Sequence, residues 1–571
     1  MDAPMEAATD IATVMLTGED IRPGSGDRDP FLTISEWNDN IIYFVGRNGS
    51  GKSRAGKALA SKIPGAHLLS TDRLTGIMGF QAQGWGYTLK DFQGLPLDAA
   101  TRPRIRQASE SAGSATEHYF ALREQPEVLL RVAAFLRRAL NRDIELRETS
   151  GYLDPYIRMG STSYSLLRDE GHGLRELVSL LAATYRPDWR LLIVDEPELH
   201  LHPAMLRLWL GELKKACRAS GKNAVVITHE PAAITPKTAD DLRSLWLFQP
   251  GLRPTRLSDV IDKEQEKGVG GSLLQNPQLV SQLVFAPRPV LVEGVLDVAA
   301  LTVTMARTQP DEVIAQTELI DCGGSGGVAL WFSIASRAGL DFKAIADLDA
   351  CLDSQVQAVM DRRPEVTQRY RADLATEPAK THVLLRPLIE AMSKGSVSSS
   401  PKDRAKWLSS DVPKDSGHES RLAKLLKIWR DAGLWLHSQG TLENVLETDM
   451  KSREAVQEAA STPGAIDEVA AWAAFVLDPT GDVFELLGAA VERISQAIQV
   501  AQRLSPDARF NAPVGNSADA DAQLVDVSPA EDSRHRITVK LPLTFAGHYV
   551  EFDRTTPPAR MTLLPPARTN V

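Results

Sequence analysis

Cysteine is scarce in this chain of 571 residues. Cys217, Cys322 and Cys351 lie far apart without metal-ligand spacing, which excludes a disulfide scaffold and a zinc ribbon. The first twenty residues lack a basic start followed by an apolar core, so no signal peptide is expected. No run of about 18 apolar residues is available to span a membrane, and a cytoplasmic protein without a membrane partner is the expectation. Positive charge is short as well. The 64 Lys and Arg against 74 Asp and Glu leave −10, which, read over the whole chain, disfavours a surface coated in nucleic acid. What is present is 43% hydrophobic and 24% charged residues, the ordinary globular range, which argues against wholesale disorder. The length allows about three to four domains.

Short Ile- and Val-rich runs alternate with helical patterns. They are Ile41–Val45, Leu191–Val194, Ala224–Ile227, Val290–Val292 and Ala344–Ala346. Most end in Gly, Asp, Glu or Thr-His, as buried parallel strands do when functional groups sit at their C-terminal ends. The fold class is therefore α/β. Val128, Leu129, Val132, Phe135, Leu136 and Leu140 recur at three and four residues and predict an amphipathic helix inside a helical insertion at about 100–150. Gly151 to Leu167 reads as a hairpin. Polar breaks fall at Asp262–Gly271, the expected domain boundary, and at Lys394–His418. Ser505–His535, rich in Asp, Ala, Pro and Ser, reads as a mobile loop, and Ile537–Phe552 as two strands.

The segment Ile41 to Ser53 fits strand, GxxxxGK[ST], helix. Backbone N–H groups of the loop Gly46, Asn48, Gly49 and Gly51 close on phosphate oxygens, Lys52 neutralises the β and γ phosphates, and the Ser53 hydroxyl binds Mg²⁺. About 140 residues later, Leu191 to Val194 runs into Asp195 and Glu196. Asp195 would hold Mg²⁺ through water and Glu196 would polarise the attacking water. The strand Ala224–Ile227 leads to Thr228 and His229, and His229 would sense the γ-phosphate; taken alone it would more often be a helix cap or a satisfied buried imidazole.

These residues resemble the ABC-type ATPases, in the branch of chromosome-maintenance and repair ATPases. The matching segments are Asn48 to Ser53, Asp195 to Pro203 and Ile227 to Glu230. The resemblance implies ATP held between two heads, one of which offers a Ser-Gly signature. Here the signature position, about 20 residues before Asp195, reads Glu170-Gly171-His172-Gly173 with no Ser ahead of Gly171. Gln81, Gln83 and Gln93 are all candidates for the family's glutamine loop.

A second set of acids follows. Val290–Val292 ends in Glu293-Gly294, with Asp297 four residues past Glu293 on the next helix. Glu318 to Asp321 runs into the glycine loop Gly323 to Gly327; Ala344–Ala346 ends in the pair Asp347 and Asp349; and Gly440-Thr-Leu-Glu443 adds one more carboxylate. Hard divalent cations take such oxygen ligands. Acids at neighbouring strand ends would hold two ions about 4 Å apart for in-line attack on a phosphodiester. A lone DxD is more often a solvated turn, but the order Glu-Gly-x-x-Asp, glycine loop, DxD is more specific, and it resembles the TOPRIM domain.

An ABC-type head followed by TOPRIM resembles the OLD-family endonucleases (overcoming lysogenisation defect), and Gly440 to Glu443 matches that family's later element. The likeness covers roughly residues 30–450. The implied organisation is an ATPase domain over 11–255, a Rossmann-like TOPRIM nuclease domain over 286–450, and a mixed α/β tail over 451–571. The resemblance implies Mg²⁺ (or Mn²⁺ at the TOPRIM site) held by Glu293, Asp297, Asp347, Asp349 and Glu443, with Glu196, Glu293, Asp347 and Asp349 as catalytic groups. It also implies a homodimer or higher homo-oligomer and a role in anti-phage defence, with room for a partner defence protein. Family nucleases carry a basic residue near the scissile phosphate, for which Lys540 is the candidate in the tail.

The acidic total hides a local reversal. From Asp361 to Asp431 there are 15 Lys and Arg against 10 Asp and Glu, a net of +5. Lys and Arg there would meet phosphates, and Trp407 and Trp429 would stack on bases, unless they are core residues of a solvated helical face. Arg102, Arg104 and Arg106 form a smaller basic cluster. The expected activity is an ATP-regulated, metal-dependent endonuclease on DNA. The same carboxylates would serve an ATPase-controlled toxin that cleaves RNA such as tRNA, and a third reading is a repair or chromosome-binding module whose TOPRIM site is structural.

Overall fold

The computed structural model describes residues 13–21, 24, 26–37, 40–71, 79–82, 85–88, 95–96, 116–149, 151–308, 314–374, 380–412, 418–446 and 452–461, and four strands within 523–564. The chain forms two compact units that meet in sequence at Phe285 and Ala286.

The first unit is built on a six-stranded sheet. In chain order its strands are β1 (Ile41–Val45), β2 (Ala66–Leu69), β6 (Leu191–Asp195), β7 (Asn223–Ile227), β8 (Leu245–Leu247) and β9 (Thr255–Arg256). Their spatial order is β9–β8–β1–β7–β6–β2, and every pairing is parallel except β8 with β9. Strands β6 and β7 are buried at every position, which is why they read as unbroken apolar runs rather than alternating ones. The helix α1 (Lys52–Lys62) packs Ala55 and Leu59 onto Ile42, Phe44, Ile193 and Ile227. Full burial of each such large side chain contributes about 1.5–3 kcal/mol.

Between β2 and β6 lie α2 (Pro126–Leu140), an antiparallel sheet in which β3 (Asp143–Thr149), β4 (Tyr152–Met159) and β5 (Thr162–Ser165) are joined by a short strand at Leu95–Pro96, and α3 (His172–Tyr185). Helix α2 starts on Pro126, buries Val128, Val132, Phe135 and Leu136 as the periodicity predicts, and ends at Asn141 in the left-handed region. The helical insertion thus ends at 140. Residues 143–149 are a strand, because DIELRET places Ile144 and Leu146 two apart and Ile144 is buried. The polar stretch expected to break the chain at Asp262–Gly271 is also structured. Asp262 and Gln265 close a capping box ahead of helix α4 (Glu266–Gln275).

The second unit carries a parallel four-stranded sheet of β10 (Arg288–Val292), β11 (Thr317–Asp321), β12 (Lys343–Ala346) and β13 (Leu434–Leu436), in the order β11–β10–β12–β13. Helices α5 (Val295–Thr308) and α6 (Ser325–Arg337) follow β10 and β11. Between β12 and β13 the chain inserts helices, among them α7 (Pro364–Leu374), α8 (Thr381–Lys394), α9 (Pro401–Lys406) and α10 (His418–Asp431). Trp429 is fully buried here, its Nε1–H donating to Tyr370 Oη, and Trp407 is 9% exposed. Both are core residues, so the expected base-stacking platform is not formed by them. In the tail, β14 (Gln523–Pro529), β15 (His535–Lys540), β16 (Tyr549–Asp553) and β17 (Arg560–Leu564) form an antiparallel meander. Strand β14 lies inside the stretch expected to be a loop. Its Leu524, Val525 and Val527 favour a pleated strand despite the polar composition around them. Among the described residues no helix is long and apolar enough to cross a membrane.

Candidate functional sites at two sets of strand ends

In the first unit the site grows from the C-terminal end of β1. Gly46 has φ +137°, and a Cβ there would stand 2.1 Å from the Phe248 carbonyl oxygen, so only glycine lets the loop leave the strand. Gly49 and Gly51 also have positive φ, Asn48 is exposed on the loop, and Gly51 caps α1 without a side-chain hydrogen bond. The first-turn N–H groups of α1 thus point into the loop with the positive end of the helix dipole behind them. Lys52 is 6% exposed, and its Nζ donates to the carbonyls of Gly46 (2.7 Å) and Arg47 (2.8 Å). Burial pulls its pKa below the usual lysine value, against the opposing pull of Glu196, Asp195 and Glu198. Ser53 Oγ donates to Asp195 Oδ1 at 3.1 Å, joining residues 142 apart in sequence.

Asp195 ends β6, paired with Ile227 of β7, and is buried. The chain then turns sharply. Glu196 takes φ +49°, with its N–H bonded to the Ile227 carbonyl at 2.9 Å. His229, just past β7, has Nδ1 3.5 Å from Oε1 of both Glu196 and Glu198. Lys52, Ser53, Asp195, Glu196 and His229 are therefore brought to one end of one sheet. Glu198 belongs with them and escaped the motif reading. Its only sequence signal is a second acid two residues after Glu196, on a segment that turns back.

At the signature position, Glu170 is held by Arg142 Nη1 (2.8 Å) and the Tyr164 hydroxyl (2.5 Å), just ahead of α3. Gly173 sits so close to the turn after Asp195 that a Cβ would lie 2.9 Å from the His200 carbonyl oxygen. The rings of His172 and His200 are 5.2 Å apart. Gln81 is on a strand over Gly79–Ala82; Gln83, Gln93, Arg102, Arg104 and Arg106 lie outside the described residues.

In the second unit the acids gather at the C-terminal ends of β10, β11, β12 and β13. Glu293 Oε1 accepts from the Asp347 N–H at 2.8 Å, tying the ends of β10 and β12 together. Asp347 Oδ1 accepts from the Leu442 N–H at 3.3 Å, and Asp297 Oδ2 from the Gly294 N–H at 3.0 Å. The glycine loop after β11 closes on the same end through the Gly324 N–H and the Glu293 carbonyl, 2.6 Å apart. A cleft of about 600 Å³ opens there, lined among others by Glu293, Asp297, Asp321, Asp347, Thr441 and Glu443. Asp349 stands beside it on a 3₁₀ turn. Its charge reaches Glu293 and Asp347, and burial and Asp353 raise its own pKa while Arg404 lowers it.

Burial first, then repulsion from Asp297, Asp349 and Glu443, pushes Glu293 up to about 7, against the lowering effect of the Asp347 N–H. Burial, with repulsion from Glu293 and the other three acids, pushes Asp347 to about 9. Asp321 and the buried His437, whose Nε2 is 3.8 Å from Asp297 Oδ1 and 4.0 Å from Asp347 Oδ1, were not among the sequence candidates. Arg404, which follows Ser400 by one helical turn, is the described cation that acts on Asp349, whereas Lys540 lies on β15 of the tail meander.

Among the described residues, no group of three or more His, Cys, Asp or Glu side chains is arranged as it stands to hold a metal ion. The donor chemistry nevertheless fits a hard divalent cation. The donors are carboxylate oxygens, and a cation's charge would offset their mutual repulsion.

Comparison with known proteins gives three findings. Residues 159–235, a span that contains Asp195, Glu196, Glu198 and His229, match the family described as "AAA domain, putative AbiEii toxin, Type IV TA system". Over 188 residues the chain is 27% identical to the OLD nuclease of Thermus scotoductus; the match covers 31% of this chain and 33% of that relative, so the chain spans about a third of its length. Among solved structures, an SMC head bound to the C-terminal winged-helix domain of ScpA is similar over 41% of this chain and 95% of that one, at 14% identity and a TM-score of 0.26. The Stu0660 protein of Streptococcus thermophilus is similar over 43% and 86%, at 9% identity and a TM-score of 0.22.

Proposed function

We propose that this protein binds and hydrolyses ATP and is a divalent-metal-dependent endonuclease that acts on DNA. The observation that carries the nuclease reading is the cleft in the second unit, where four parallel strands deliver acids to one end and raise Glu293 and Asp347 well above ordinary carboxylates. The partial match to an OLD nuclease supports it. Glu293, Asp297, Asp347, Asp349 and Glu443 would hold the metal, which when bound supplies an activated water and stabilises the leaving oxygen. The protein's own groups position it: the Asp347 N–H fixes the Glu293 carboxylate, the Leu442 N–H fixes that of Asp347, and Arg404 offsets the charge of Asp349.

In the first unit the match to an AAA domain and the loop geometry support nucleotide chemistry. Gly46, Asn48, Gly49 and Gly51 shape the phosphate loop, Lys52 neutralises phosphate charge, Ser53 and Asp195 form the Mg²⁺ side, Glu196 takes the proton of the attacking water, and His229 faces the γ-phosphate. We assign this chemistry to 11–255 and the nuclease to 286–450. The protein would act in the cytoplasm as a homo-oligomer in anti-phage defence. A toxin that cleaves RNA is the second reading, because the matching family is described as a putative toxin.

The test is incubation of the purified full chain with plasmid DNA, and in parallel with tRNA, in Mg²⁺ or Mn²⁺. Cleavage by wild type that Glu293→Ala abolishes is expected, with DNA cut in preference to RNA. Equal behaviour of wild type and Glu293→Ala would remove the nuclease reading, and cleavage of tRNA alone would favour the toxin.

A further inference from the structure

We propose that Glu198 is a positioning residue for ATP hydrolysis, holding His229 beside Glu196; this rests on the ATPase reading above. Past Asp195 the backbone turns through the left-handed Glu196, and the Leu199 N–H and Leu201 N–H close on the carbonyls of Glu196 (3.3 Å) and Glu198 (3.0 Å). That turn aims the Glu198 side chain back at the end of β7. Its Oε1 accepts from Thr228 Oγ1 at 2.8 Å and from the His229 N–H at 3.0 Å. Thr228 is itself fully buried, its N–H bonded to the Phe44 carbonyl of β1 and its Oγ1 accepting from the Glu230 N–H. A single carboxylate oxygen thus ties together the ends of β6 and β7 at the corner that carries His229.

The Glu198 side chain is 8% exposed, and its Oε2 is buried with no hydrogen-bond partner among the described residues. A carboxylate at that depth is costly to the fold, and an apolar residue would be cheaper if packing were its only task. Its charge also reaches Lys52, together with those of Glu196 and Asp195. The phosphate-loop contacts do not pass through Glu198. Lys52 is held by the loop carbonyls, Ser53 by Asp195, and Glu196 by the Ile227 carbonyl. Removing Glu198 therefore frees the His229 corner while leaving the phosphate cradle in place, so turnover falls more than binding.

The experiment measures steady-state ATP hydrolysis by the full chain in Mg²⁺ for wild type, Glu198→Ala and Glu198→Gln, with thermal unfolding of each. Glutamine keeps an acceptor oxygen for Thr228 and the His229 N–H but not the charge. Glu198→Ala is expected to lower kcat by about 10- to 100-fold, the cost of misplacing a group near the reacting atoms. KM should stay within about threefold of wild type, and Glu198→Gln should recover most of the lost kcat. Unchanged kcat in Glu198→Ala, a rise in KM as large as the fall in kcat, or a Gln variant no better than Ala would each overturn the role of Glu198 while leaving the ATPase reading in place. If Glu198→Ala does not fold, the kcat of Glu198→Gln relative to wild type, both measured well below their melting temperatures, decides: a loss greater than about tenfold overturns the positioning role, since the acceptor is retained. A wild type that hydrolyses no ATP overturns the ATPase reading and the role of Glu198 with it.

Discussion

At the end of β6 in the first unit, Asp195 and Glu196 share their surroundings with Lys52, whose ammonium is itself fixed by two loop carbonyls. At the ends of β10 and β12 in the second unit, the charges that reach Glu293 and Asp347 are those of Asp297, Asp349 and Glu443, all of the same sign. The two sites share a design, acids at the C-terminal edge of a parallel sheet, where ligand crevices form. They differ in where the opposite charge comes from. The first carries its cation on the chain, and phosphate is what it can add. The second gathers like charges around Glu293 and Asp347, with Arg404 acting only on Asp349 at its side, and a divalent cation is what it can add.

The largest expected effect separates the two directly. Glu293→Ala or Asp347→Ala should abolish DNA cleavage and leave ATP turnover within about twofold of wild type, read by plasmid nicking and phosphate release on the same preparations. Loss of both activities together would break the comparison. Next in size is Lys52→Ala, which removes the internal cation and leaves Asp195, Glu196 and Glu198 to repel phosphate. ATP affinity should fall at least about 100-fold, about 2.8 kcal/mol, in a titration with a fluorescent ATP analogue. An affinity within a few-fold of wild type would mean that the loop N–H groups alone carry the phosphate.

Which of these features could be read from the sequence follows from how each is encoded. Buried parallel strands announce themselves as apolar runs, so β1, β6, β7, β10 and β12 fell close to where the pattern put them. Loops that need positive φ announce themselves through glycine, as at Gly46 and Gly51. Contacts made by a chain reversal leave no period. Glu198 reaches Thr228 across 30 residues and Arg404 reaches Asp349 from the helices inserted between β12 and β13, and neither has a spacing rule. Composition misled at Trp407 and Trp429. Aromatics among basic residues suit stacking on bases as well as they suit a helical core, and burial decides for the core.

The smallest effect sharpens the contrast through pH. The Asp347 carboxyl is held at about 9 in the fold and Glu293 at about 7, against ordinary values of 3.8 and 4.5. Between about pH 4 and these raised values the folded unit keeps protons that the unfolded chain has released. Its stability therefore falls as pH rises across that window and levels off above it. In EDTA, the melting temperature of the second unit should drop between pH 5 and pH 9, by about 2–4 °C for each kcal/mol lost. Asp347→Asn removes one titrating group and the higher of the two raised carboxyl values, so it should flatten this slope and melt higher than wild type at pH 8.5. Mg²⁺ at the same pH should raise wild type toward the variant and leave Asp347→Asn nearly unmoved, because a cation and a neutral amide relieve the same repulsion. The first unit, with Lys52 inside its acid cluster, should show no matching gain from Mg²⁺ without nucleotide. An Asp347→Asn protein that melts below wild type in EDTA at pH 8.5 would mean that the charge on the oxygen accepting from the Leu442 N–H, which an amide oxygen lacks, outweighs the repulsion, and that the second site is as balanced from within as the first.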